Sequence, residues 1–148
     1  MAESQTARSA KVELLAPVTP VTAPFWDGLH AGELRLQRCS ACASFQYPPE
    51  TFCYGCGSTD LEWRKASGRG TIYSFITVHQ RYHPAFAEDL PYNVSIVELE
   101  EGPRLISNVI GVGPEAVQVG MAVQASPQRL SDEHSAVYFE PAGAHARP

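Results

Sequence analysis

Apolar and polar residues alternate along Leu34-Arg35-Leu36-Gln37-Arg38 and again along Leu61-Glu62-Trp63-Arg64. That period of two predicts two half-buried strands. Ahead of them, Phe25, Trp26 and Leu29 recur at helical spacing, with Pro24 in the first turn, where its missing N–H costs nothing. The spacing predicts a short amphipathic helix from about Pro24 to Ala31, with Gly28 unhelpful inside it and Gly32 as its stop. An element that short is stable only when packed against something.

From Ser67-Gly68-Arg69-Gly70 the pattern changes. Thr71 to Val78 is dense in β-branched and aromatic residues and predicts a long strand. Residues 80–91 form a loop with two prolines. Tyr92 to Leu99 predicts the next strand, Glu100-Glu101-Gly102-Pro103 a turn, and Arg104 to Ile110 the return of a hairpin. A loop from Gly111 to Gly120, with one helical turn at Pro114 to Ala116, leads to shorter strands at Met121–Ala125 and Ala136–Phe139. Five strands around one long loop fit a small barrel of the OB type, whose closure would hide its edges. Residues 1–22, rich in Ala, Ser, Thr, Pro and Val, predict a flexible arm, and 142–148 a flexible tail. The expected organisation is therefore arm, helix plus small metal ribbon over 23–66, barrel over 67–141, and tail.

The ribbon is implied by the cysteines. Cys39 and Cys42 form one pair, Cys53 and Cys56 the other, and the chain has no more than these four. Two residues between thiolates turn both sulfurs of a knuckle onto one ion. Two knuckles complete the tetrahedron that structural zinc prefers. A closed four-sulfur site has no open position for water or substrate, which argues for architecture rather than zinc catalysis. Iron fits the same sulfurs. A thioredoxin-like redox motif would need a βαβ context that is missing here, and two disulfides would need an oxidising compartment. No basic start followed by an apolar run marks a signal peptide, so a cytoplasmic location is expected. Phe45, Tyr47, Pro48, Pro49 and Phe52, between the knuckles, are expected to cover the ion.

The 148 residues suit one ordinary domain or two very small ones. No apolar run is long enough to span a membrane as a helix. The net charge of −5 and only two lysines, Lys11 and Lys65, count against nucleic-acid binding, although ribbons and OB folds both occur there. The middle of the chain is nevertheless basic: Arg35, Arg38, Arg64, Lys65, Arg69 and Arg81 face only Glu50, Asp60 and Glu62. A zinc held by four thiolates carries −2, so this excess either offsets the site's own field or forms a local anion-binding patch.

Candidate chemistry outside the cysteines is sparse. His79, Tyr82 and His83 lie together beyond the long strand, with Glu88 and Asp89 nearby, and invite an acid–base or metal reading. No nucleophile elbow, phosphate-cradling glycine motif or paired acids accompany them, so no catalytic residue is assigned. Arg69, between Gly68 and Gly70, is a candidate contact for a coenzyme A phosphate; the glycines alternatively serve a positive-φ turn while Arg69 pairs with a carboxylate. Phe25, Trp26, Tyr82, His83, Phe86 and Tyr92 are candidates for a partner interface, the alternative being that the aromatics belong to the core.

Phe25-Trp26-Asp27-Gly28-Leu29, the four cysteines, Ser67 to Ser74, His83-Pro84-Ala85-Phe86, Pro91-Tyr92 and Glu101 to Leu105 occur in this order. As an ordered set they resemble the zinc-ribbon/OB-fold family of acyl-CoA-associated proteins, long described as a domain of unknown function. The likeness runs from about Pro24 to Pro141. Ala43 departs from the pattern, since a glycine often follows the second cysteine of a knuckle. The resemblance implies an accessory subunit that binds a thiolase-like enzyme acting on acyl-CoA: a thiolase, an acyltransferase or a steroid side-chain aldolase. It also implies pairing with a hot-dog-fold hydratase in some members, contact with a coenzyme A thioester, and a hetero-oligomer, two-plus-two if the partner is a dimer. Nucleic-acid binding and a stand-alone acyl-CoA enzyme are the competing readings.

Overall fold

The computed structural model describes residues 10–143. The first nine residues of the expected arm and the last five of the expected tail lie outside them. Helix α1 spans Ala23–His30. A small antiparallel sheet follows, in which β1 (Arg35–Cys39) lies between β2 (Phe45–Gln46) and β3 (Leu61–Lys65). Each cysteine pair sits where a strand or loop of this sheet ends in a tight turn.

The second sheet has the order β6-β5-β4-β7-β8. Its strands are β4 (Arg69–Val78), β5 (Tyr92–Leu99), β6 (Arg104–Ser107), β7 (Ala122–Arg129) and β8 (Ser135–Pro141). All named pairings in it are antiparallel. A parallel bridge between Val109 and Phe139 brings the chain beyond β6 against β8 and closes the ring. Ile110 N–H donates to the Phe139 carbonyl at 2.8 Å, and Phe139 N–H to that of Asn108 at 3.0 Å. This is the small OB barrel that the strand pattern predicts.

A buried amide network fixes the closure. Asn93 Nδ2 donates to the Val109 carbonyl at 2.7 Å, while Asn93 Oδ1 accepts from Val109 N–H at 2.8 Å and from Ser95 Oγ at 2.9 Å. Asn108 Nδ2 donates back to the Asn93 carbonyl. Side-chain amides thus replace backbone pairing where strand geometry ends, as buried polar groups require. For this reason the strand expected over Arg104–Ile110 stops at Ser107.

One core serves both units. Phe25, Leu29, Leu34 and Leu36 belong to the same apolar cluster as Ile72, Val97, Leu105, Val123 and Phe139. Helix α1 wedges between ribbon and barrel, touching β1, β7 and β8. Gly28 is the residue that permits it: a Cβ there would lie 2.7 Å from Arg35 Cγ and 3.0 Å from the Glu33 carbonyl. The glycine that weakens the helix locally is what lets it dock on β1.

Two further departures are physical. β7 runs through Pro127 to Arg129, four residues beyond its expected end at Ala125. It pairs with β4 only through Ala122–Gln124, so at Pro127 it has a ladder on one side alone, the edge setting that tolerates proline. Residues 10–12, within the expected flexible arm, are helical, and Lys11 ties them to the body, its ammonium 2.6 Å from Asp89 and 5.5 Å from the centre of the Phe86 ring.

Candidate metal centre and partner surface

The two knuckles are built alike. Cys39 N–H donates to the Ser44 carbonyl at 2.9 Å and Ala43 N–H returns to the Cys39 carbonyl at 2.9 Å. In the second knuckle Cys53 N–H donates to Ser58 at 2.8 Å and Gly57 N–H to Cys53 at 2.9 Å. The turn in each needs a left-handed residue: Gly57 has φ +76° and Ala43 φ +62°. Among the described residues Ala43 alone, of the non-glycines, has positive φ. Its Cβ is therefore strained there. Ala43→Gly is expected to stabilise the ribbon by about 1 kcal/mol, read as slower loss of metal to a chelator and a higher unfolding midpoint.

The four sulfurs converge. Cys39 and Cys56 Sγ lie 3.6 Å apart, as do Cys42 and Cys53 Sγ, and all four fall within 4.8 Å of one another. All are free thiols. A tetrahedron with metal–sulfur bonds of about 2.3 Å has edges of about 3.8 Å, so the donor set fits one cation. Cys39 and Cys53 are buried, while Cys42 and Cys56 face outward. The Ser44 hydroxyl lies 2.9 Å from Cys42 Sγ and 3.6 Å from Cys53 Sγ, and Gly55 N–H donates to Cys53 at 3.3 Å. The Ser44 hydroxyl, first, and the backbone donors pull the Cys53 thiol down to about 6, and Ser44 lowers Cys42 as well. A divalent cation among them would hold all four as thiolates. Four sulfurs about one such ion would leave no position open for water or substrate.

The basic excess of the middle segment is spent on neighbouring carboxylates. Arg35 and Lys65 pair with Glu33, Arg38 and Arg64 with Glu62, and Arg69 with Glu100 at 2.6 Å. Such exposed pairs contribute little stability each. Arg81 makes no ion pair among the described residues. A phosphate at Arg69 would have to displace Glu100, whose carboxyl the Arg69 guanidinium holds below the usual range. Gly68 has φ +75°, the turn geometry that glycine supplies.

The candidate partner residues separate by burial. Phe25 is 4% exposed and belongs to the core, which leaves it no surface to offer. Trp26 packs on Phe25 and His134, with ring centres 5.4 and 6.1 Å away, and its buried indole N–H finds no acceptor among the described residues. Tyr82, by contrast, is 77% exposed. His83 Nδ1 accepts the Ala85 N–H at 3.2 Å and caps the 3₁₀ turn Pro84–Asp89. Phe86 and Tyr92 stack at 5.8 Å. His79 and His83 both lie on an exposed loop, and the described residues hold no metal-binding cluster besides the cysteines.

A surface that sequence reasoning missed crosses the barrel. Ile76 is 61% exposed, Ile106 74% and Tyr73 49%. Register places Ile76 beside Val94, and Ile96 between Ser74 and Ile106, so the apolar strip runs over β4, β5 and β6. Arg104 caps it by stacking 3.5 Å over Tyr73 while pairing with Glu98 at 2.7 Å. The loop bearing Tyr82 and Phe86 leaves β4 two residues past Ile76, so loop and strip adjoin. Contiguous exposed apolar area of this kind is a candidate interaction surface.

Comparison with known proteins fits this geometry. Residues 26–62 match the rubredoxin-like zinc ribbon domain of ChsH2 and residues 63–128 its C-terminal OB-fold domain. A DUF35 domain-containing scaffold protein of Methanocaldococcus jannaschii is 34% identical over 65% of this chain and 68% of its own length. The chain belongs to the DUF35 family. Its ribbon and barrel are the family's two domains. A probable enoyl-CoA hydratase alpha subunit of Thermomonospora curvata is 39% identical over 80% of this chain. The chain spans only about a third of that relative, 37% of its length. Among solved structures, the Ltp2-ChsH2(DUF35) aldolase contains a chain 35% identical, matched over 86% of this chain and 99% of that one with a TM-score of 0.77. No helix among the described residues is long and apolar enough to cross a membrane.

Proposed function

We propose that this DUF35 chain is a non-catalytic accessory subunit that binds a thiolase-fold, CoA-dependent enzyme and supports its assembly or its access to acyl-CoA. The observation that carries the reading is the match along nearly the whole DUF35 chain of an aldolase complex. The exposed strip over Tyr73, Ile76 and Ile106, with Tyr82 and Phe86 beside it, supplies a surface of the right character. The relative described as a hydratase alpha subunit supports acyl-CoA chemistry nearby and a hydratase as a further partner. In this reading zinc fills the four-sulfur site as a brace, the complex is a hetero-oligomer, and the protein works in the reducing cytoplasm, where its thiols stay available to metal.

Co-expression with the thiolase-fold protein of the same cell tests the reading. A complex that survives affinity capture and gel filtration is the expected result. A large protein that is soluble, monodisperse and fully active alone, and ignores this chain, would overturn it.

A further inference from the structure

At the end of the barrel remote from the cysteines, the chain encloses a half-open cavity of about 290 Å³. Its walls are mostly apolar: the rings of Phe86, Tyr92 and Tyr138, with Val109, Ile110 and Leu130. The charged groups on its lining, Lys11 and Asp89, neutralise each other at 2.6 Å. The field inside therefore selects for neither sign of charge.

Three side-chain amides also line it, Asn93, Asn108 and Gln128, of which Asn93 is spent on the closure network. Asn108 donates its N–H to the Asn93 carbonyl, and Gln128 donates its own to Ser126 Oγ at 3.1 Å. Among the described residues neither amide oxygen receives a donor. The cavity thus combines stacking walls with two hydrogen-bond acceptors and no uncompensated charge. We propose that this cavity is a binding site for a neutral molecule of one or two rings that carries a hydroxyl or N–H donor. The walls supply most of the affinity by burial, and the amide oxygens orient the donor, which is the usual division of labour in small-molecule pockets.

The site lies apart from the strip over Tyr73, Ile76 and Ile106, with Phe86 bordering both. Its floor comes from the inner ends of β5, β7 and β8 and the crossing at Val109, and its rim from Lys11 and the 3₁₀ turn. A test uses the purified full chain and 2-naphthol as probe, followed by ligand-observed NMR. Saturable, one-site binding in the micromolar to millimolar range is expected. Naphthalene, which has the same rings without the donor, is expected to bind about fivefold more weakly, the value of roughly one net hydrogen bond. Gln128→Leu should shrink that difference. Leu130→Trp and, separately, Ile110→Trp fill the cavity and should each weaken binding at least about tenfold while leaving the far-ultraviolet spectrum unchanged. Absence of binding at millimolar probe, or equal binding by a folded cavity-filled variant, overturns the proposal. Equal binding of naphthalene overturns the assignment of the donor.

Discussion

Cys53→Ser is expected to lower the melting temperature by more than about 10 °C and to reduce the metal content of the isolated protein to near zero. Cys53 is buried, lies 3.6 Å from Cys42 Sγ and receives the Gly55 N–H. Serine keeps the shape of the knuckle but offers no thiolate. Structural four-thiolate zinc sites contribute on the order of 10 kcal/mol or more to the fold they close. Only part of that is lost here, because the barrel retains its own strands. The loss still spreads beyond the ribbon. Leu34 and Leu36 on the ribbon side share a core with Phe25 and Leu29 of helix α1 and with Ile72 and Val97 of the barrel. When β1 loosens, α1 loses one of its supports, and a helix of 8 residues has no stability of its own. At roughly 2–4 °C per kcal/mol for a chain of this size, a loss of several kcal/mol gives the stated shift. Differential scanning fluorimetry and elemental analysis read both quantities. A wild-type melting point in a metal-free Cys53→Ser protein would show that the ribbon needs no ion.

Ile76→Asp combined with Ile106→Asp should leave the fold intact and remove partner binding, weakening it by at least about a hundredfold. Both side chains point to solvent, so their exchange costs the free subunit little; exposed substitutions commonly fall within about 0.5 kcal/mol. In a complex each would place a carboxylate in a desolvated apolar contact, where central residues typically carry 2 kcal/mol or more. Val119→Asp is the control: Val119 is also exposed, but it lies on the loop before β7 rather than on β4, β5 or β6. Isothermal titration against the purified partner, with melting curves for each variant, separates the outcomes. Undiminished binding by the double variant would move the interface elsewhere on the molecule.

The parts legible in the sequence were those written in local chemistry. The cysteine spacing alone pointed to the cluster in which the four sulfurs converge, and strand β5 and the turn at Pro114 follow the pattern residue for residue. What stayed hidden depends on tertiary context. Pro127 argues against a strand until β7 is seen to lack a β4 neighbour there. Residues 10–12 hold a helical turn that Lys11 ties to Asp89 across 78 positions of sequence, a contact which no propensity encodes. The apolar strip was concealed by the run from Thr71 to Val78, rich on both faces. A bulge between Ile72 and Ser74 then leaves both Tyr73 and Ser74 exposed, so alternation could not tell which side stays open. Phe25 and Arg69 show the reverse difficulty. Their residue types suit an interface and a phosphate, and the fold commits one to the core and the other to Glu100.

Titrating this chain into the isolated thiolase-fold enzyme proposed as its partner, while following that enzyme's turnover of acyl-CoA, addresses the central claim most directly. The account predicts no turnover by the small chain alone, and a rise in partner activity or stability that saturates at one small chain per large one. Vigorous acyl-CoA turnover by the small chain by itself, or a partner indifferent to its addition, would contradict it.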